Sequence, residues 1–157
     1  IELLVNTKIS IMNWTEYFLG IAEQVKLKSK DQSTQIGAVI VGTDNEVLST
    51  GYNSFPRGLD DSLQERQERP EKYFWFEHAE RNAIYNAARV GTPLKGSIIY
   101  LTSGLPCMDC ARGIVNSGIK EVYCKSECTT KNKEKWEESQ RKSLQLLYEC
   151  GVKVVFY

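Results

Sequence analysis

The single histidine of this 157-residue chain, His78, opens the run His78-Ala79-Glu80, and about thirty residues later comes Pro106-Cys107-Met108-Asp109-Cys110. One imidazole and two thiolates make three protein ligands for a zinc ion. They leave its fourth tetrahedral position open to water, and that open position separates catalytic from structural zinc. Cys107 and Cys110 stand three residues apart, so on a helix they share one face and can reach one ion. A helix N-terminus and a metal both lower thiol pKa, so the pair should bind as thiolates. Glu80 is too near His78 in sequence to take the same coordination position, yet well placed to exchange protons with water held there. Zinc lowers the pKa of such water from about 15.7 toward about 7. The chemistry would be hydrolysis near neutral pH.

Each fragment alone is ambiguous. A Cys-x-x-Cys pair also suits a redox motif or half of a structural zinc knuckle, a lone histidine is commonly a packed side chain, and Glu80 could be a first-turn carboxylate favoured by the helix dipole. A four-cysteine site needs a second close pair, which Cys124, Cys128 and Cys150 do not supply, and a redox pair leaves the His-Ala-Glu run unexplained. Together the fragments match the H-x-E with P-C-x-x-C pattern of zinc-dependent nucleobase deaminases. The remaining cysteines read as small buried hydrophobes. An odd count of five argues against a disulfide framework and for a reducing, cytoplasmic compartment.

The elements must bring those fragments together. Trp14, Tyr17, Phe18, Ile21, Ala22 and Val25 form one face of an amphipathic helix, expected in the core. Ile36–Val41 is continuously apolar, as for a strand covered on both faces, and a turn at residues 43–45 returns it as a second strand over residues 46–52. Residues 54–76 read as a long charged loop, a length that usually signals function. Helices are expected over residues 77–89, 107–116 and 136–149, stopped by Gly91, Gly118 and Gly151, with strands over 97–102, 121–125 and 152–157. Helices between the last three strands predict parallel right-handed crossovers in a three-layer α/β/α sandwich with a five-stranded mixed sheet. In such sheets the crevice lies at the carboxyl ends of strands, where both metal-binding fragments fall. Residues 1–11 read as a possible leader or tag, and residues 12–157 as a single domain.

Charge bounds the partners. Twenty basic residues balance twenty acidic ones, so the counterion-releasing surplus of a polynucleotide binder is missing. No apolar run approaches the roughly 20 residues needed to span a bilayer. A small phosphate needs only one or two local cations.

His78-Ala79-Glu80-Arg81-Asn82-Ala83-Ile84, Gly51-Tyr52-Asn53 continuing to Pro56-Arg57-Gly58, Pro106–Ala111 and Ser117-Gly118-Ile119-Lys120 resemble the deoxycytidylate (dCMP) deaminase family. Trp14–Phe18 and Ser29–Ala38 are similar to it as well, so the resemblance covers nearly all of residues 13–157. It implies one catalytic Zn2+ on His78, Cys107 and Cys110, with Glu80 carrying protons as dCMP becomes dUMP. It also implies Asn53 and Asn82 near the nucleotide, with Lys30, Ser33 and Thr34 as phosphate donors and Arg57 nearby. For Asn53 and Arg57 the plainer roles are turn former and solvated charge. Many members are hexamers activated by dCTP and inhibited by dTTP, so a homo-oligomer (hexamer or dimer) is expected. The implied effector loop holds Gly51, Tyr52, Asn53, Phe55, Arg57 and Asp60.

Two departures stand out. Ser54 replaces the family's usual glycine, which would hinder effector binding if that position needs positive φ. Six residues' step, not five, separates Tyr100 from Pro106, suggesting a bulge or a reshaped wall beside the base. Phe74, Trp75 and Phe76 either cover the base or pack inward, with packing expected for at least two. Alternatives left open are dCTP or a 5-substituted dCMP as substrate, a tRNA or single-stranded DNA base deaminase, and a catalytically silent nucleotide sensor.

Overall fold

The structure, a computed structural model, describes residues 10–126 and 133–157. Its elements run α1 (Trp14–Lys26), β1 (Gly37–Val41), β2 (Val47–Tyr52), a 3-10 turn (Gln64–Gln67), α2 (Lys72–Trp75), α3 (Ala79–Val90), β3 (Ile98–Leu101), α4 (Met108–Ser117), β4 (Glu121–Cys124), α5 (Lys133–Glu149) and β5 (Lys153–Phe156). The order matches the sequence expectation except in residues 54–76, where the expected continuous loop contains the 3-10 turn and α2. Residues 1–9 of the segment 1–11 read as a leader or tag, and Cys128, lie outside the described residues.

The five strands are ordered β2-β1-β3-β4-β5. β1 runs antiparallel to both neighbours, while β3, β4 and β5 are parallel. β2 and β3 therefore point the same way, and their carboxyl ends lie beside the start of β1, where Gly37 pairs with Tyr52 and Ala38 with Leu101. The segments that follow β2 and β3, and the one that precedes β1, all emerge at this edge.

The helical layers are unequal. Ala83, Ala87, Ala111, Ile114 and Leu147 of α3, α4 and α5 pack with Ala38, Ile40, Ile99, Leu101 and Val122 on one face. α1 alone covers the other, through Phe18 and Ala22 against Val39, Val41 and Tyr100. Each fully buried Phe, Ile, Leu or Val contributes roughly 1.5–3 kcal/mol. Among the described residues no second helix lies beside α1, and Trp14 and Tyr17 are 57% and 44% exposed. This corrects their reading as core residues, although Trp14 still stacks on Phe18 with ring centroids 5.6 Å apart. Cys124 is buried as expected, whereas Cys150 is exposed at the end of α5.

α3 lies unusually close to the sheet. Its Ala79, Ala83 and Ala87 form a stripe of buried small residues, and a Cβ at Gly51 would overlap the backbone of Ala83 and lie 2.5 Å from the Ala79 carbonyl oxygen. Side chains lace the contact. Asn82 and Asn86 donate to the carbonyls of Tyr52 and Thr50 at 2.8 and 2.7 Å, and Ser49 donates to the Ala83 carbonyl at 2.6 Å. Gly51 is thus required by helix packing.

The segment entering β1 is held by a buried polar network. The Asp31 carboxylate accepts from the backbone N–H groups of Ser33 and Thr34 at 2.8 and 3.0 Å, from the Ser33 hydroxyl at 2.9 Å, and from Lys72 Nζ at 2.6 Å. Both side chains of this ion pair are less than a tenth exposed. Burial pushes the Asp31 carboxyl up, but the bonds from Lys72, Ser33 and Thr34 together hold it below its ordinary value. Removing one partner of a buried pair leaves an uncompensated charge, at a cost of about 3–5 kcal/mol.

Two outcomes are expected. Gly51→Ala should cost about 1–3 kcal/mol by overpacking, read as a lower urea midpoint at unchanged slope. Because the folded pKa of Asp31 is depressed, its carboxylate stabilises the fold above the ordinary value of 3.8 and stops doing so as pH falls through the lower folded value. Asp31→Asn should lower stability near neutrality and flatten the loss below that pH, measured by urea titrations at stepped pH.

Candidate metal centre and active site

His78 caps the N-terminus of α3 and Cys107 that of α4, with Cys110 in the first turn of α4. The two residues are thus held just before their helices, in extended conformation, by φ/ψ values of −76°/153° and −67°/170°. Both sulfurs lie 3.5 Å from His78 Nδ1. The three donor atoms all fall within 4.8 Å of one another, and Cys110 is fully buried.

This geometry suits zinc. Tetrahedral coordination with the usual Zn–N and Zn–S lengths sets each N···S edge at about 3.5–3.6 Å, which is the separation found. The soft N/S2 donor set also belongs to zinc chemistry. The Cys110 thiol hydrogen-bonds to Cys107 and, aided by His78, brings the Cys107 thiol down to about 3 despite its burial. Its bond to Cys107 raises His78 to about 9. The neighbouring Cys107 sulfur and burial push Cys110 up. A divalent cation among the three removes that conflict, favouring both thiolates and a neutral imidazole.

Glu80, in the first turn of α3, lies near enough to His78, Cys107 and Cys110 to interact electrostatically with all three. It is 5% exposed, and burial raises its pKa while the neighbouring His78 lowers it. Behind it, the Glu77 carboxylate accepts from the His78 backbone N–H at 2.9 Å and from Arg81 Nε at 2.6 Å. Arg81 in turn lies 3.6 Å from Asp109, the residue between the two cysteines' positions on α4. Helix starts and ligands are thereby tied to each other.

The other residues singled out from the sequence scatter around an adjoining cavity. About 180 Å³ in volume, it is lined by Lys28, Lys30, Tyr52, Ser54, Phe55, Pro56, Arg57, Gly58, Leu59 and Asp61. One lining residue, Ser54, is joined to the segment that carries His78, its backbone exchanging hydrogen bonds of 3.1 and 2.8 Å with Glu77. Lys30 pairs there with Asp61, and Arg57 donates to Asn86 at 2.7 Å; both are exposed. Asp60 faces away, capping the Ser62 N–H at 3.0 Å.

Asn53 turns inward. Its Oδ1 accepts from the Ile36 N–H at 2.7 Å, and its Nδ2 donates to Asp31 at 3.1 Å and to the Thr34 carbonyl at 2.7 Å. The Asn82 amide donates to β2. The Ser33 hydroxyl is engaged by Asp31 and by Lys72 at 2.6 Å. Phe76 packs on Phe55, centroids 4.2 Å apart, and the Trp75 ring lies under Arg66, whereas Phe74 is 77% exposed. The sequence reading missed Asp31 and Lys72 because burial of a charge leaves no mark on hydropathy patterning.

Both departures are conformationally mild. Among the described residues Asn45 is the non-glycine with positive φ, so Ser54 carries no such strain. The β1–β3 register is regular through Leu101, and the extra residue lies in the bend after β3, where Lys125 N–H bonds the Ser103 carbonyl at 2.8 Å. The irregularity in pairing falls instead between Ile40 and Val41, against β2.

Residues 12–126 match the family described as the cytidine and deoxycytidylate deaminase zinc-binding region. An "Uncharacterized deaminase in luxG 3'region" of Aliivibrio fischeri is 40% identical over 146 residues, 93% of this chain and 95% of the relative. The mouse deoxycytidylate deaminase is 39% identical over 121 residues, 74% of this chain and 66% of that enzyme's length. The phage T4 deoxycytidylate deaminase is 32% identical, covering 78% of this chain and 82% of the phage enzyme. Among solved structures, the cyanophage S-TIM5 dCMP deaminase in complex with dCMP and dUMP superposes with a TM-score of 0.73. It is 25% identical and covers 94% of this chain and 100% of the other. The matched segment contains His78, Glu80, Cys107 and Cys110 together with the first four strands of the sheet, and the chain belongs to the cytidine and deoxycytidylate deaminase family.

Proposed function

We propose that this protein catalyses the hydrolytic deamination of dCMP, in which dCMP and water give dUMP and ammonia. The observation that carries the reading is the convergence of His78 Nδ1 and the sulfurs of Cys107 and Cys110 beside the buried Glu80. Support for the substrate comes from deoxycytidylate deaminases at 32–39% identity and from the cyanophage enzyme seen with dCMP and dUMP.

His78, Cys107 and Cys110 would hold the ion, which supplies a Lewis-acid site that makes water acidic near neutral pH. Glu80 would carry a proton from the attacking water to the ring nitrogen of the cytosine, and then a proton to the exocyclic amino group, which leaves as ammonia. Its buried setting, which raises its pKa, suits a group that must hold a proton between transfers. The family's site residues carry over as follows. Lys30 and Arg57, which both line the cavity, bind the 5'-phosphate, with Thr34 as a further donor. The pairings of Lys30 and Arg57 to Asp61 and Asn86 are exposed to solvent and yield readily to a phosphate. Ser33, Asn53 and Asn82 act through the backbone they hold. Tyr52, Phe55 and Arg57 line the same cavity, so dCTP or dTTP as effector would bear on the phosphate site. A homo-oligomeric, cytoplasmic enzyme is the accompanying reading; no helix among the described residues is long and apolar enough to cross a membrane.

Glu80→Gln should reduce turnover by about 10²–10⁴-fold, with zinc content, measured by atomic absorption, staying near one per chain. Unaltered turnover would remove Glu80 from the proton path. Ammonia release from dCMP, dCDP, dCTP, 5-methyl-dCMP, deoxycytidine and a tRNA stem-loop, with and without added dCTP or dTTP, tests the substrate. The highest kcat/KM should belong to dCMP, and turnover of the RNA alone would overturn the assignment.

A further inference from the structure

The buried ion pair between Asp31 and Lys72 has no part in the chemistry just described, yet it joins two segments at the edge of the site. Lys72 belongs to α2, four residues before Phe76 and six before His78, while Asp31 belongs to the segment that enters β1. The donors that would suit an external phosphate in this segment, the N–H groups of Ser33 and Thr34, the Ser33 hydroxyl and the Lys72 ammonium, all point at the Asp31 carboxylate. The segment carries its own internal anion. Lys72 also donates to Ser33, and its ammonium sits 5.2 Å from the centroid of the Phe76 ring. The other Asp31 oxygen accepts from Asn53, whose amide also holds the Thr34 carbonyl and Ile36 N–H. Ser29 closes the circuit, its hydroxyl donating to the Asn53 carbonyl at 2.6 Å.

We propose that Lys72 is a positioning residue for the anionic end of the substrate: with Asp31 it locks residues 29–36 in the conformation that presents Lys30 to the cavity. The proposal rests on the reading of that cavity as the phosphate site. Lys72 touches no substrate atom. Its ammonium is committed to Asp31 and Ser33, so its removal loosens the segment without deleting a phosphate contact.

The test compares wild type with Lys72→Met, Asp31→Asn and the double variant, on dCMP and on deoxycytidine, which lacks the phosphate. Lys72→Met should raise KM for dCMP about tenfold or more with kcat within about threefold, and leave kcat/KM for deoxycytidine nearly unchanged. Because the pair acts as a unit, Lys72→Met should do much less in the Asp31→Asn background than in wild type. The double variant has no unpaired charge, so it serves if the single variant fails to fold. Amide hydrogen exchange supplies a readout independent of turnover, with Ser33 and Thr34 expected to exchange about tenfold faster or more in Lys72→Met. Equal losses on dCMP and deoxycytidine, or unchanged exchange at Ser33 and Thr34, would overturn the proposal. A wild-type enzyme indifferent to the phosphate would instead overturn the reading of the cavity, an outcome visible before any variant is made.

Discussion

One imidazole nitrogen and two sulfurs must meet within bonding reach of a single ion, and the rest of the molecule is arranged around that requirement. The donors come from the starts of two different helices, so the relative placement of α3 and α4 is the critical variable. Neither helix could set it alone. α4 is placed by following β3 directly, and its first turn brings Cys107 and Cys110 to one side. α3 is placed by lying almost against the backbone of β2, which is possible because Gly51 has no side chain and Ala79 and Ala83 have small ones.

The reversal of β1 matters as much as the helices. Since β1 runs against both β2 and β3, these two strands end at the same edge although they are not neighbours. That edge collects the metal ligands, the cavity with Lys30 and Arg57, and the segment governed by Asp31. The polar groups closest to it are largely spent on holding backbone. Asn53, Asn82 and Ser33 each make internal bonds that fix strand ends and turns. A pocket for a charged nucleotide needs such stiffness, because donors already aimed at the ligand do not lose further freedom when it binds.

Much of this was legible from residue order. The cluster of His78, Cys107 and Cys110 is legible because zinc chemistry demands particular residue types at particular spacings, and helix starts supply both the spacing and the electrostatics. Gly91 and Gly118 could be read as helix stops because both adopt positive φ where α3 and α4 end. The apolar run of β1 announced a strand buried on both faces, and all five residues are buried. Where the reading slipped, the cause was a missing neighbour. The face of α1 is legible, but Trp14 and Tyr17 are exposed because no second helix among the described residues shares that side of the sheet. Cys150 is exposed because it falls past the last buried turn of α5.

Local periodicity and ligand chemistry, which are properties of short segments, therefore sufficed for the element order and the His78–Cys107–Cys110 cluster. The roles of Gly51, Asn53, Asp31 and Lys72 depend on contacts between residues twenty to forty positions apart. Asn53 reads from the sequence as a residue near the ligand or a turn former, and its amide bonds Asp31, Thr34 and Ile36 within the chain. Lys72 looked like a loop charge and is buried, because Asp31 and Ser33 replace its water. Whether a polar side chain meets solvent, substrate or another part of its own chain is settled by which segments the sheet order brings together, and sheet order is a long-range property that no local spacing encodes.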